Sequence, residues 1–235
     1  MQVQPKKGTA LLWSNIDVCS NDYNMKTIHR ADPLTTEFVN AGGSKYGLNI
    51  FIWGSSSEVY EPIREFFTQK PTVTMINEFL PDTIVDAILE LVQTYPVLME
   101  SSVQGSDESH MYRQSQTAGL RRSLTAGLRE DMLHGMSPSL SHKIMLQHTI
   151  RELDKIVLSM FQLKKNHPME YQVVHYEDDA DHFDLHHDSV GIVQRENTWV
   201  ADEEGKPSHW RVVSIFAYLN TVPPNGGGCT IFPFV

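Results

Sequence analysis

The order of segments along the chain limits its fold most. Short apolar runs bounded by Gly, Pro, Asn and Ser stand near both ends, and two amphipathic helical patterns stand between them. Residues 9–13, 45–53 and 72–76 are strand candidates in the first part. A helix then opens at Pro81 and Asp82, with Ile84, Ile88, Leu91 and Tyr95 on one stripe. A second helix spans 143–162, with Leu146, Ile150, Leu153, Val157 and Met160 facing a core. Strands follow at 171–176 and 211–219, and Gly226-Gly227-Gly228 turns the chain into another beginning at Thr230-Ile231-Phe232. Two helices followed by many short strands predict an α+β domain built round a β-sandwich or jelly roll.

A chain of 235 residues with 40% hydrophobic content can bury one sizeable core, so a single domain is expected. Its formal net charge of −10 disfavours nucleic acid and anionic membranes as partners, since both require a basic surface. No apolar run approaches the ~20 residues of a membrane span, and residues 1–13 do not resemble a secretory signal. Cys19 and Cys229 are too few for a disulfide framework; one bridge or two ordinary thiols are both open, and the thiols suit a reducing compartment. The compartment is left open, with the cytoplasm favoured. Two stretches resist assignment. Residues 58–70 mix charges and aromatics without a period and are taken as a connector. Residues 101–141 are rich in Ser, Gly and Arg, repeat Thr-Ala-Gly-Leu-Arg at 117–121 and 125–129, and are taken as a long loop.

The chemistry concentrates at His186-His187-Asp188. On a strand, residues two apart point to the same face, so His186 and Asp188 would present an imidazole and a carboxylate side by side. That is two thirds of the 2-His-1-carboxylate set that holds non-haem Fe(II) with positions left open. The bland alternative is a solvated acidic turn, because Asp178, Asp179, Asp181, His182 and Asp184 crowd the same region and His182-Phe183-Asp184 repeats the spacing.

Four motifs come in order: Tyr171-Gln172-Val173-Val174-His175-Tyr176, the His186/Asp188 pair, Tyr218-Leu219-Asn220, and Gly227-Gly228-Cys229-Thr230-Ile231-Phe232-Pro233. Together they resemble the prolyl 4-hydroxylase family of Fe(II)/2-oxoglutarate-dependent dioxygenases, whose catalytic domain is a double-stranded β-helix (jelly roll) flanked by helices. The resemblance covers about 72–235, and an aromatic three residues before the His, here Phe183, favours His186/Asp188 over His182/Asp184. The family then continues with pieces that this chain carries at its front. Val3-Gln4-Pro5-Lys6-Lys7-Gly8-Thr9-Ala10-Leu11-Leu12-Trp13, Ile28-His29-Arg30-Ala31-Asp32-Pro33-Leu34 and Lys45-Tyr46-Gly47-Leu48-Asn49 resemble the missing end.

The resemblance implies a circular permutation of the family domain, or a slice through a tandem array. Residues 1–53 would be the C-terminal half of the β-helix core, 54–71 a connector, and 72–235 the helices plus the half carrying the His186/Asp188 pair. It further implies His29 as the distal metal ligand, Lys45 as the cation for the C5 carboxylate of 2-oxoglutarate, and Tyr176 as a pocket-lining group. Tyr218 and Thr230 are lesser lining candidates, and no catalytic residue is implied beyond the metal ligands. Cofactors would be Fe(II) and 2-oxoglutarate, with ascorbate as a further candidate. The substrate would be a peptide or protein, hydroxylated at proline to give 4-hydroxyproline. A domain-swapped dimer, a non-catalytic jelly-roll binding domain and an inactive fragment of a tandem hydroxylase are the competing readings.

Overall fold

The computed structural model describes residues 1–20, 22–55, 61–101, 121–189, 192–195, 198–201 and 209–235. In chain order the elements are β1 (Gln2–Val3), β2 (Ala10–Ser14), a 3-10 turn (Met25–Thr27), β3 (His29–Ala31), α1 (Thr36–Asn40), β4 (Lys45–Ser55), α2 (Glu61–Thr68), β5 (Val73–Ile76) and α3 (Asp82–Thr94). Then come β6 (Met99–Glu100), β7 (Arg121–Arg122), β8 (Leu124–Gly127), α4 (Leu140–Met160), β9 (Met169–Tyr176), β10 (His182–His186), β11 (Ile192–Arg195), β12 (Thr198–Ala201), β13 (His209–Tyr218) and β14 (Thr230–Ile231). The protein is α+β, with antiparallel sheets and few helices.

Seven strands form the larger of the two main sheets in the order β5-β2-β13-β4-β9-β8-β6, five form the smaller in the order β1-β14-β3-β10-β7, and β11 and β12 pair as a separate two-stranded sheet. Period-two alternation divides the work of the larger sheet. Ala10, Leu12, Leu48, Ile50, Ile52, Tyr171, Val173, Val213, Ile215 and Ala217 point to one face and pack with α3 and α4. Their neighbours Leu11, Trp13, Phe216 and Tyr218 point the other way, into a cluster with Val3 of β1 and Phe232 just past β14. A helical layer thus covers one face and the smaller sheet covers the other.

Both helices follow their predicted stripes. In α3, Ile84, Ile88 and Leu91 are buried, Pro81 is the N-cap, and Tyr95 is the C-cap. In α4, Leu146, Leu153 and Val157 are buried, Ile150 and Met160 are partly buried against the same core, and the Ser139 side chain caps the first turn by accepting from the His142 backbone N–H. The central strand β4 needs Gly47, because a Cβ there would sit 2.3 Å from the Phe216 ring of the neighbouring strand.

Residues 1–53 contribute to both sheets. β4 lies between β13 and β9, β2 lies between β13 and β5, and β3 lies between β14 and β10. The chain ends meet: β1 pairs with β14, and the Met1 amino group donates to the carbonyls of Phe232 at 2.6 Å and Val235 at 2.7 Å.

Three expectations change. The connector contains a helix, α2, whose Ile63 and Phe67 enter the core. The 101–141 stretch is not a loop throughout, since β8 pairs with β9 and β6, and β7 pairs with β10. Of the duplicated pentamers, residues 125–129 begin within β8, whereas 117–120 fall outside the described residues. Asp188 lies two residues beyond the end of β10, so strand alternation is not what aligns it with His186. Cys19 and Cys229 are both free thiols. Among the described residues, no helix is long and apolar enough to cross a membrane.

Candidate metal centre

Strand register brings the two histidines together. β10 and β3 run antiparallel with His186 opposite His29, and the register shifts between Phe183 and His186. The chain then bends at Asp188, whose carboxylate Oδ1 lies 3.4 Å from His186 Nε2 and 3.8 Å from His29 Nε2. One ligand atom from each of the three residues lies within 4.8 Å of the others, and this is the only such group among the described residues.

The hydrogen bonds fix which nitrogens can bind a metal. His29 Nδ1 lies 2.9 Å from the Thr27 carbonyl and His186 Nδ1 lies 2.7 Å from the Asp184 carbonyl. A carbonyl only accepts, so each Nδ1 carries the proton and each neutral ring keeps its Nε2 lone pair for a metal. Burial, then repulsion from His186, lowers the His29 pKa to about 4, against the pull of Asp188. Burial would raise the Asp188 carboxyl. Attraction to His29, hydrogen bonding and attraction to His186, and a hydrogen bond from Ser214 outweigh it and hold the group well below the usual carboxylate range. Two imidazoles whose Nε2 atoms face one carboxylate form a donor set that fits a divalent first-row metal, which would displace any proton from Nε2 on binding.

Aromatic rings wall this cluster. The His29 ring meets Trp13 edge-on at 4.7 Å, stacks on Phe232 at 5.1 Å and lies 4.2 Å from the His186 ring. Phe183 stacks on the His186 ring at 3.4 Å. His187 turns away: it accepts from the Ser189 backbone N–H and packs against Tyr23. The competing pair, His182 and Asp184, is 4.0 Å apart and more exposed, with no third ligand in reach among the described residues.

Lys45 opens β4 opposite Tyr176 of β9 and is fully buried. Its ammonium donates to the Gly228 carbonyl at 2.7 Å and lies over the Tyr176 ring at 4.7 Å, with the Phe216 and Tyr218 rings at 5.5 and 5.9 Å. Among the described residues no carboxylate lies within ion-pair distance of it, and burial lowers its pKa to about 7. An ammonium held this way is suited to an incoming anion. Tyr218 donates to Thr230 at 2.8 Å beside it. Phe216 and Tyr218 also share a cluster with Trp13 and Phe232, so one aromatic wall runs from Lys45 to His29.

A groove of about 440 Å³ is lined by residues of β3 and β10 and their flanks, among them Arg30, Asp32, Asp179, His182, Asp184 and Phe183, whose ring stacks on His186. The sequence-read residues His29, His186 and Asp188 therefore converge, and Lys45 and Tyr176 form a second buried station. The aromatic wall that Trp13, Phe183 and Phe232 form around the two histidines left no sign in the sequence. Comparison with family models, curated proteins and solved structures found no match for this chain.

Proposed function

We propose that this protein is an Fe(II)/2-oxoglutarate-dependent dioxygenase of prolyl 4-hydroxylase type, with a circularly permuted double-stranded β-helix core. The observation that carries the reading is the convergence of His29, from the N-terminal segment, with His186 and Asp188, both Nδ1 protons being committed to carbonyls. Two further facts support it. Residues 1–53 complete the sheets of the rest of the chain, with β4 between β13 and β9 and β3 between β14 and β10. A buried lysine also lies among Tyr176, Phe216 and Tyr218, the last two in the same aromatic cluster as Trp13 and Phe232.

His29, His186 and Asp188 would hold Fe(II) on one face and leave its other positions open. Bound iron and 2-oxoglutarate would supply the oxidation, in which O2, the oxoacid and a substrate C–H become succinate, carbon dioxide and an alcohol. Lys45 binds the distal carboxylate of the oxoacid as a point charge, and Tyr176 lines that pocket. Trp13, Phe216, Tyr218 and Phe232 exclude water around the reactive face. The peptide approaches along the groove beside Phe183, and by resemblance its hydroxylated residue is proline. Ascorbate would serve as an auxiliary reductant.

The test is succinate release from 2-oxoglutarate in the presence of Fe(II), oxygen and proline-containing peptides, with mass analysis for a gain of one oxygen. Turnover that His186→Ala abolishes supports the reading. A cooperatively folded protein without turnover, coupled or uncoupled, would leave a binding module instead.

A further inference from the structure

We propose that Tyr95, His142 and Glu90 form a second reactive site, in which the Tyr95 hydroxyl takes an acyl group from an activated acyl ester. The site is independent of the metal centre. It belongs to the helical layer, whereas His29 and His186 pair within the smaller sheet on the other side of the larger one.

The contacts among the three groups have one direction. A Glu90 carboxylate oxygen lies 3.0 Å from His142 Nε2. A carboxylate only accepts, so Nε2 carries the proton and, in the neutral ring, Nδ1 keeps a lone pair. The Tyr95 hydroxyl lies 2.7 Å from that Nδ1 and is therefore the donor. A hydroxyl whose proton points at an imidazole, with the imidazole held from behind by a carboxylate, is the arrangement that activates a nucleophile. The base is within reach of the nucleophile, and a third group orients the base.

Helix ends hold these pieces in place. Tyr95 is the C-cap of α3, and its backbone N–H donates to the Leu91 carbonyl at 3.2 Å. His142 stands in the first turn of α4, where its backbone N–H donates to the Ser139 side chain at 3.1 Å. Buried Ile88 and Leu91 of α3 and Leu146 of α4 join one core, which fixes the two helices against each other. The Tyr95 and His142 rings meet edge to face, with centroids 5.4 Å apart and planes at 89°. The trio is also open to a ligand: Tyr95 is half-buried, and the His142 and Glu90 side chains are 20% and 51% exposed.

In the step, the Tyr95 oxygen attacks the acyl carbon while its proton passes to His142 Nδ1, and Glu90 stabilises the imidazolium. The bond from the acyl carbon to the leaving oxygen breaks, and the leaving group takes the proton from His142. The products are an acyl ester of Tyr95 and a free alcohol or phenol. Glu90 acts through His142 and is a positioning residue.

The experiment treats the protein with p-nitrophenyl acetate and records nitrophenolate release, together with peptide mass analysis of acetylation at each tyrosine. Wild type, Tyr95→Phe, His142→Ala and Glu90→Gln are compared, and long-range nitrogen–proton spectra of the imidazoles report which nitrogen carries the proton. Tyr95 should be acetylated on the order of 100-fold faster than the other tyrosines, and His142→Ala should lose about that factor. Tyr95→Phe should lose the initial burst of nitrophenolate. Glu90→Gln should slow the reaction less, with the His142 proton no longer confined to Nε2. Thermal unfolding verifies each fold; if His142→Ala does not fold, the exposed Glu90→Gln tests the arrangement. Acetylation of Tyr95 at the rate of the other tyrosines, or a rate unchanged in folded His142→Ala, overturns the proposal and leaves the trio as a tie between α3 and α4. An unchanged rate and proton position in Glu90→Gln overturns the role of the carboxylate.

Discussion

Protonation of Lys45 should control how tightly the proposed site holds a dicarboxylate. Burial lowers this ammonium to about 7, and the distal carboxylate of 2-oxoglutarate requires it charged. With that pKa, roughly three quarters of the free sites carry the proton at pH 6.5 and only about 3% at pH 8.5. Affinity should therefore fall about 25-fold across that interval, or about 2 kcal/mol, with nearly one proton taken up per ligand at the upper end. Calorimetry of 2-oxoglutarate binding to the Co(II)-loaded protein, in two buffers of different ionisation enthalpy, measures both quantities. 2-Oxobutyrate, which lacks the distal carboxylate, should bind without this dependence. The same shift has a stability consequence. Between pH 10.5 and about 7 the unfolded chain holds a proton that buried Lys45 does not, so stability falls as pH falls through this window. Lys45→Met should remove that slope and leave the apoprotein more stable than wild type below pH 7, by about 3–5 kcal/mol at most. A flat affinity profile with no proton uptake would refute the assignment of Lys45 to the distal carboxylate.

Other perturbations test the fold around the site. Gly47→Ala drives a Cβ toward the Phe216 ring in the centre of the larger sheet and should cost about 1–3 kcal/mol in denaturant unfolding. Ile88→Ala, at the fully buried contact of α3 with that sheet, should cost about 2–5 kcal/mol by the same measurement. Phe183→Ala removes the ring stacked on His186 and should weaken Co(II) binding by about 0.5–1.5 kcal/mol, read by titration. Joining Val235 to Met1 through a short linker and opening the chain within 54–71 should give a folded protein that binds Co(II) like the original, since the present ends touch. An unfolded product, with the cut placed ahead of α2, would contradict the proposed permutation.

Long elements were legible in the sequence because burial imposes a period on them. The α3 and α4 stripes and the strands β2, β4, β9 and β13 each present enough residues for a pattern to register. β1, β3, β7 and β14 span only two or three residues, too few for any period, and β3 nevertheless carries His29. Their pairing is settled by partners far along the chain. In α2 the buried positions are just Ile63 and Phe67, separated by charges, so the segment read as a connector. The site shows the same division. His186, Asp188, His29, Lys45 and Tyr176 stood out through motif resemblance, whereas the tautomer-setting carbonyls of Thr27 and Asp184 belong to the backbone and leave no trace in residue type. Ser214 reads as one polar residue within an apolar strand, and only the fold sets it against Asn15 of a distant segment.

If His29 from the front of the chain and His186 from its far half hold one iron ion, removing either must abolish the site. Anaerobic titration of Fe(II) and 2-oxoglutarate into the purified protein, recording the visible metal-to-ligand charge-transfer band, tests it most directly when His29→Ala and His186→Ala are measured alongside. A band in the wild type that is lost in both variants is the expected result. A band that survives in His29→Ala, or no band in a cooperatively folded wild type, would contradict it.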